Sequence, residues 1–346
     1  MFRCITELKG LIIDIDSFEE DELSEWNETE KCYKCLFITS DNKKKEKLKT
    51  LYDKSRIYVI EEFRKLFSPN SQTHRDVLDI LKLNTTETAY VSKDTLFLEN
   101  AMGFLSGTIW ITAVVNYTNA SKSPDLICKS IEDMNRFLQN NVKGFLGEVT
   151  IFPKEISSGM IIPVKFEVDK EIFPLYMLGR YFGYSHYMNQ LHPYSTAIYL
   201  NKKSGKVWGK FDLEFSRLYS LAVKRIQKNY HIDGICSIPS RPGQENRFKN
   251  ILKEIAEGTG ITNLSDNMIC IEDYPTQKVL SQPEREENVK GKFCFEGKLT
   301  GANVIVIDDI VSTGSTMREC IRELKKKGAG CVFIVALAVN QIQGSY

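Results

Sequence analysis

Short apolar runs recur through the first part of the chain, at 11–15, 36–39, 57–60, 88–91, 109–115 and 126–128. Between them lie stretches with apolar residues at helical spacing, such as 43–53, 73–83 and 96–105, and a last one closes at 139. Runs of this length fit strands buried on both faces, and their alternation with helices is the pattern of βα units around a parallel sheet. Two asparagines and two glycines within 140–147 break the pattern, so a boundary is expected there, dividing 1–141 from 142–346. The second part opens with expected strands at 148–153 and 160–168. An aromatic segment follows, 173–199, with six tyrosines, inside a stretch of about 148–205. From 211 the alternation resumes, with helices expected at 211–228, 248–258 and 316–327 and strands at 234–238, 304–307 and 332–339. The expected fold class is α/β, with two parallel-sheet domains in succession.

The length of 346 residues agrees with two domains. A hydrophobic content of 42% and a charged content of 26% exclude a disordered chain. With 46 basic and 45 acidic residues, the formal charge of +1 gives no general pull toward nucleic acid or an anionic membrane. The lysine-rich stretch 43–54 reads as a solvated helix face. No apolar run is long enough to span a bilayer, and residues 1–10 lack the features of a signal peptide. Nine scattered cysteines do not read as a secreted disulfide framework, so a reducing, cytoplasmic setting is expected. Cys32 and Cys35 form a single CxxC with no second pair, only half of a structural zinc site, so zinc is not expected there.

The densest chemical signal is Val-Ile-Val-Ile-Asp-Asp-Ile-Val-Ser-Thr-Gly-Ser-Thr, from Val304 to Thr316. Four β-branched residues make a buried strand, and Asp308 and Asp309 arrive where it is expected to end. Ser312, Thr313, Gly314, Ser315 and Thr316 then form a small polar loop before a helix, which offers N–H groups and hydroxyls to a phosphate. Two carboxylates beside it suit sugar hydroxyls, taken directly or through a hydrated cation. This segment resembles the signature of the type I phosphoribosyltransferases, which use phosphoribosyl pyrophosphate (PRPP). The resemblance covers roughly 206–340. It implies a pyrophosphate loop in Ile235–Phe248, where Ser240, Arg241, Gly243 and Arg247 stand, and Mg²⁺ on the leaving group. The stretch 276–293 is similar to the segment before the signature strand in the ComF-like branch, with Lys278 and Arg285 in its mobile, charged loop. The acceptor implied is a base or base-like compound, and the aromatic segment reads as a hood over the site, structural rather than stacking. The branch leaves a homodimer open.

A second signature lies in the first part. Leu-Ile-Ile-Asp-Ile-Asp, 11–16, ends a strand with Asp14 and Asp16, and the next strand ends in Thr39-Ser40-Asp41. Asp94 and Glu99 follow later. Metal-assisted phosphoryl transfer can use such a set, with Asp14 as nucleophile and Asp16 as general acid/base. The order resembles the haloacid dehalogenase-like (HAD) phosphatases across roughly 8–141. It implies Thr39 and Ser40 on the phosphate of a small phosphorylated substrate, and a metal held by Asp14, Asp16, Asp94 and Glu99. The chain departs from that pattern at Phe18, at Lys93 and in lacking the phosphate-binding lysine near 68–69, so the resemblance leaves open whether the unit is active. Together the two resemblances imply two Rossmann-like parallel-sheet domains, HAD-like then phosphoribosyltransferase, that make or break an N-ribosyl 5′-phosphate. The alternative is a PRPP or nucleotide sensor without turnover. Neither reading involves a membrane or nucleic acid.

Overall fold

The computed structural model describes residues 7–60, 70–151, 158–202, 210–275 and 281–342. In chain order its strands are β1 (Gly10–Asp14), β2 (Lys34–Thr39), β3 (Ile57–Val59), β4 (Thr88–Ser92), β5 (Gly107–Ile111), β6 (Val115–Asn116), β7 (Leu126–Cys128), β8 (Val142–Phe145) and β9 (Ser158–Met160). They continue with β10 (Ile162–Val168), β11 (Glu171–Met177), β12 (Arg180–Phe182), β13 (Gly234–Ser237), β14 (Thr262–Asn263), β15 (Met268–Cys270), β16 (Phe293–Phe295), β17 (Val304–Val311) and β18 (Val332–Gln341).

The first sheet has the order β3-β2-β1-β4-β5-β7, parallel throughout. This is a doubly wound order, whose ligands bind outside the carboxyl ends of the strands. Every residue of β1, β4, β5 and β7 is buried, as their apolar runs require when helices cover both faces. The second sheet runs β14-β13-β17-β18-β11-β10-β6, with β12 also on β18. It is mixed rather than purely parallel, because β10 and β11 form an antiparallel hairpin. Asp169 and Lys170 turn that hairpin with φ of 50° and 70°. The first eight residues of β18 are buried, which makes it the spine of this sheet.

Three expectations are corrected. The run 109–115 is not one strand: β5 stays in the first sheet, and β6 leaves it to pair with β10 of the second. Residues Leu146–Thr150 form a short helix instead of the start of a strand, while 152–157 lie outside the described residues. On this helix Glu148 meets the guanidinium of Arg180. The run 160–168 is divided between β9 and β10. The helices Ser315–Lys326 and Asp212–Gln227 lie within one residue of expectation.

The two sheets share buried packing. One contiguous apolar cluster includes Leu11, Ile109 and Val115 as well as Phe166, Val306 and Ile334. A charged network crosses the same junction. Arg180 Nη2 donates to Asp125 Oδ1 at 2.9 Å and to Glu148 Oε2 at 2.8 Å, and Asp125 also accepts from the backbone and hydroxyl of Thr108. Burial opposes ionisation of Glu148, but Arg180 outweighs it and holds that carboxyl well below its ordinary range. Among the described residues, no helix is long and apolar enough to cross a membrane.

Candidate functional site

β13 and β17 pair in parallel from Gly234↔Val304 to Ser237↔Ile307, where β13 stops. β17 runs on to Val311, held only by β18 on its other side. Asp308 and Asp309 therefore do not mark the end of their strand. They mark the point where its neighbour ends, and there the sheet opens toward the loop after β13.

That loop supplies the counter-charge. Arg247 Nη2 lies 3.2 Å from Asp308 Oδ1 and 3.1 Å from Asp309 Oδ2, so one guanidinium bridges both acids. Lys202 Nζ, at the end of the helix Pro193–Lys202, lies 2.9 Å from Asp309 Oδ1. Tyr219 donates its hydroxyl to the backbone carbonyl of Asp308 at 2.7 Å, which ties the strand to the helix Asp212–Gln227. The acids are driven apart in affinity for protons. Burial and the neighbouring charge of Asp309 push Asp308 up to about 7. Burial also works against Asp309, but Arg247 and Lys202 outweigh it and hold Asp309 below its ordinary value.

Beyond β17 the loop of Ser312, Thr313 and Gly314 leads into the helix beginning at Ser315. Gly314 has φ of +78°, and an added Cβ would lie 2.7 Å from the Phe166 ring. Only glycine meets both conditions without strain. The hydroxyls of Thr313 and Ser315 are 3.1 Å apart. Arg318 clamps the loop from its own helix: Nη1 donates to Thr313 O at 2.8 Å, and its guanidinium lies 5.0 Å from the Phe166 ring centre. Tyr117, just after β6, donates its hydroxyl to Ser312 O and meets Phe166 edge-on at 4.9 Å. The first half of the chain thus touches the loop directly.

Of the expected residues, Asp308, Asp309 and Arg247 come together, with 312–316 adjoining in the chain. Ser240 donates to Glu245 O at 3.1 Å within the β13 loop. Arg241 is engaged elsewhere, lying 4.7 Å over the Tyr274 ring with Nη2 3.4 Å from Pro275 O. Arg285 is in the helix Gln282–Val289 rather than an extended loop, and Lys278 lies outside the described residues. Sequence reasoning missed Lys202, Tyr219, Tyr117 and Arg318, because nothing in their local pattern distinguishes them from ordinary helix residues. In the aromatic segment, Phe182, His192 and Tyr194 are buried.

At the first sheet, Asp14 ends β1 and Asp16 sits in the 3-10 turn Ile15–Ser17. Their oxygens serve the scaffold. Asp16 accepts from Thr39 Oγ1 at 2.6 Å, Ser40 N at 2.9 Å and Ser40 Oγ at 2.7 Å. Asp14 accepts from Ser92 Oγ at 2.7 Å. Asp94 caps the helix Thr95–Met102 through Leu96 N, and Glu99 pairs with Lys122 at 2.9 Å. Lys44 donates to the carbonyls of Ile15, Asp16 and Phe18. Among the described residues no three or more His, Cys, Asp or Glu gather as a metal site. Of the CxxC pair, Cys32 is exposed and Cys35 buried.

Comparison with known proteins bears on the second half. The profile of the phosphoribosyl transferase domain matches residues 275–345, which include the acid pair and its loop. The C-terminal part of the chain carries a phosphoribosyltransferase domain. This domain is similar to competence protein F of Haemophilus influenzae, 24% identical over 159 residues, or 43% of this chain and 69% of that protein. The DNA utilization protein YhgH of Escherichia coli K12 is 37% identical over 62 residues, 18% of this chain and 27% of that one. Its Salmonella typhi counterpart is 30% identical over 110 residues, 30% and 48% of the two chains. The chain thus spans about a quarter to a half of the DNA utilization proteins that it matches. Among solved structures, a purine phosphoribosyltransferase from Pyrococcus horikoshii aligns at a TM-score of 0.26 and 19% identity, over 38% of this chain and 74% of that one. An adenine phosphoribosyltransferase aligns at 0.24 and 15%, over 38% and 79%.

Proposed function

We propose that the transferase domain binds Mg-PRPP across the carboxyl ends of β13 and β17 and forms or cleaves an N-ribosyl 5′-phosphate. The observation that carries this reading is the buried pair Asp308–Asp309 beside a glycine-turned, hydroxyl-bearing helix N-terminus, with Arg247 between the pair and the β13 loop. The N–H groups and hydroxyls of Ser312–Thr316 suit the 5′-phosphate. Asp308 and Asp309 suit the ribose hydroxyls, and their charge favours the positive charge that builds on the ribose as pyrophosphate leaves. Arg247 lies where it can turn to the pyrophosphate, with Ser240, Arg241 and Arg285 as further candidates from their position in the chain. Two carboxylates fit a Mg²⁺ that arrives with its substrate, because Mg²⁺ is usually held by one or two carboxylates together with phosphates. When bound, it would neutralise the leaving pyrophosphate. The acceptor in this reading is a base or base-like compound, and relatives named for competence and DNA utilization fit a role in handling bases or nucleotides.

For the first half we infer a HAD-like scaffold whose phosphatase chemistry the geometry does not favour. The order of its sheet and the places of Asp14, Asp16, Thr39 and Ser40 support the resemblance. The donor set does not fit Mg²⁺, because these oxygens already serve Ser92, Thr39, Ser40 and a helix cap. Mg²⁺-dependent hydrolysis of any phosphomonoester that vanished in Asp14→Asn would overturn this part. The neutralised acid pair of the transferase domain favours one second reading, a PRPP sensor without turnover. The experiment is pyrophosphate release from Mg-PRPP with a panel of bases, run on wild type and on Asp308→Asn/Asp309→Asn. Release that needs the acids supports the transferase. PRPP binding without release supports the sensor, and no binding rejects both.

A further inference from the structure

Lys202 is the last residue of a helix that belongs to the hood, yet its ammonium reaches the acid pair. Asp309 does not need it for want of partners, since Arg247 lies 3.1 Å away and its Oδ1 already accepts from Ile310 N at 2.6 Å. Arg247 is fixed by both carboxylates and by the Phe248 ring, 4.9 Å from its guanidinium. Lys202 makes one ion pair among the described residues, and its side chain is 32% exposed. It is the more easily moved of the two cations, because a lysine carries a compact charge with rotatable donors on a flexible stem.

In the empty site two acids face two cations, so their charges are largely offset. PRPP would change that balance in one step. Its ribose hydroxyls donate to the carboxylates and take up their acceptor capacity, while its pyrophosphate brings several negative charges beside them. The cation with a single carboxylate partner then has a better partner nearby.

We propose, resting on the PRPP reading, that Lys202 is a pyrophosphate-binding residue that the empty site keeps on Asp309 and releases to the pyrophosphate when PRPP enters. Lys202 thereby distinguishes PRPP from ribose 5-phosphate, which offers the same hydroxyls without the anion. The exchange also couples the end of the hood helix to occupancy of the site.

The test is calorimetric titration of the full chain with PRPP and, separately, with ribose 5-phosphate, each with Mg²⁺, in wild type, Lys202→Met and Lys202→Arg. The methionine variant is expected to bind PRPP about ten-fold more weakly, the worth of roughly one charge-assisted hydrogen bond. Its affinity for ribose 5-phosphate is expected to hold or rise, because the competitor for Asp309 is gone. Arginine is expected to restore most of the PRPP affinity. Equal weakening of both ligands, or no change in either, would make Lys202 a structural ion pair and overturn the proposal while leaving the PRPP reading in place. If wild type binds neither ligand, the PRPP reading fails and takes the proposal with it. Melting curves establish that each variant is folded, and Lys202→Gln replaces the methionine variant should that one not fold.

Discussion

Neutralising Asp308 is expected to stabilise the protein at neutral pH while abolishing transfer. Asp308 titrates at about 7 rather than 3.8, with burial the main cause and Asp309 the next. A carboxyl whose folded value is raised binds its proton more tightly in the folded state. The wild type therefore loses stability as pH rises from about 4 to about 7, and the loss levels off above that. At about 1.4 kcal/mol per pH unit, the ceiling is ~4 kcal/mol. In Asp308→Asn that loss disappears, but the amide must replace the bond from Asp309 N and the contact with Arg247. A net gain of about 1–2 kcal/mol is the expectation, which in a chain of this size raises the apparent Tm by roughly 1–3 °C. Thermal melts at pH 5, 6, 7 and 8 read it directly. The gap between variant and wild type should widen from pH 5 to 7 and then hold. A variant that melts below wild type at pH 8, or a gap independent of pH, would refute the reasoning and make the acid a structural one.

Gly314→Ala combines a φ of +78° with a 2.7 Å clash against Phe166, so a loss of about 2–3 kcal/mol and of any PRPP-induced thermal shift is expected. Wild-type behaviour in a denaturant titration would mean that the loop does not hold this turn. Tyr117→Phe removes the donor to Ser312 O and should cost about 1 kcal/mol and weaken PRPP binding a few-fold, read by calorimetry. Unchanged binding would free the loop from any hold by the first half. Arg180→Met leaves Asp125 and Glu148 buried without their guanidinium, at a cost of about 3–5 kcal/mol in chemical denaturation at pH 7. Because Glu148 is held below its ordinary value, that stabilisation is present above about pH 4 and fades below it, so the deficit should shrink in acid.

What the chain disclosed before folding follows from the range of the forces involved. Strands such as β1, β4, β7 and β17 were readable because burial on both faces demands an unbroken apolar run, which is a local property. The loop 312–314 was readable for the same reason, since the turn at Gly314 and the helix start at Ser315 depend on adjacent residues. The failures are non-local. Residues 109–115 look like one strand, and only the partner strand β10 decides that the last part changes sheets. Leu146 and Val149 stand at helical spacing while Val149 and Ile151 alternate as in a strand, so the local pattern does not decide, and the chain forms a short helix at Leu146–Thr150. Lys202 reaches Asp309 across the fold, and no spacing rule connects them.

The acids of the first sheet show how far a spacing can be trusted. Asp-x-Asp after a buried strand does deliver two carboxylates to its carboxyl edge, and Asp14 and Asp16 are there. What they do is decided by how many donors the neighbouring strand ends present. Thr39 and Ser40 give Asp16 three hydrogen bonds, and Ser92 reaches Asp14, so the edge is closed by hydroxyls from β2 and β4. A metal site would need these oxygens turned outward. This half also reaches the phosphoribosyltransferase domain at its other exit, where the chain leaves β5, enters the second sheet as β6, and sets Tyr117 on the carbonyl of Ser312. Because that strand crosses between sheets whose cores are continuous, the loop 312–314 is held by residues from both halves. A transferase domain cut at residue 142 would lack both the strand beside β10 and the hydroxyl on its loop.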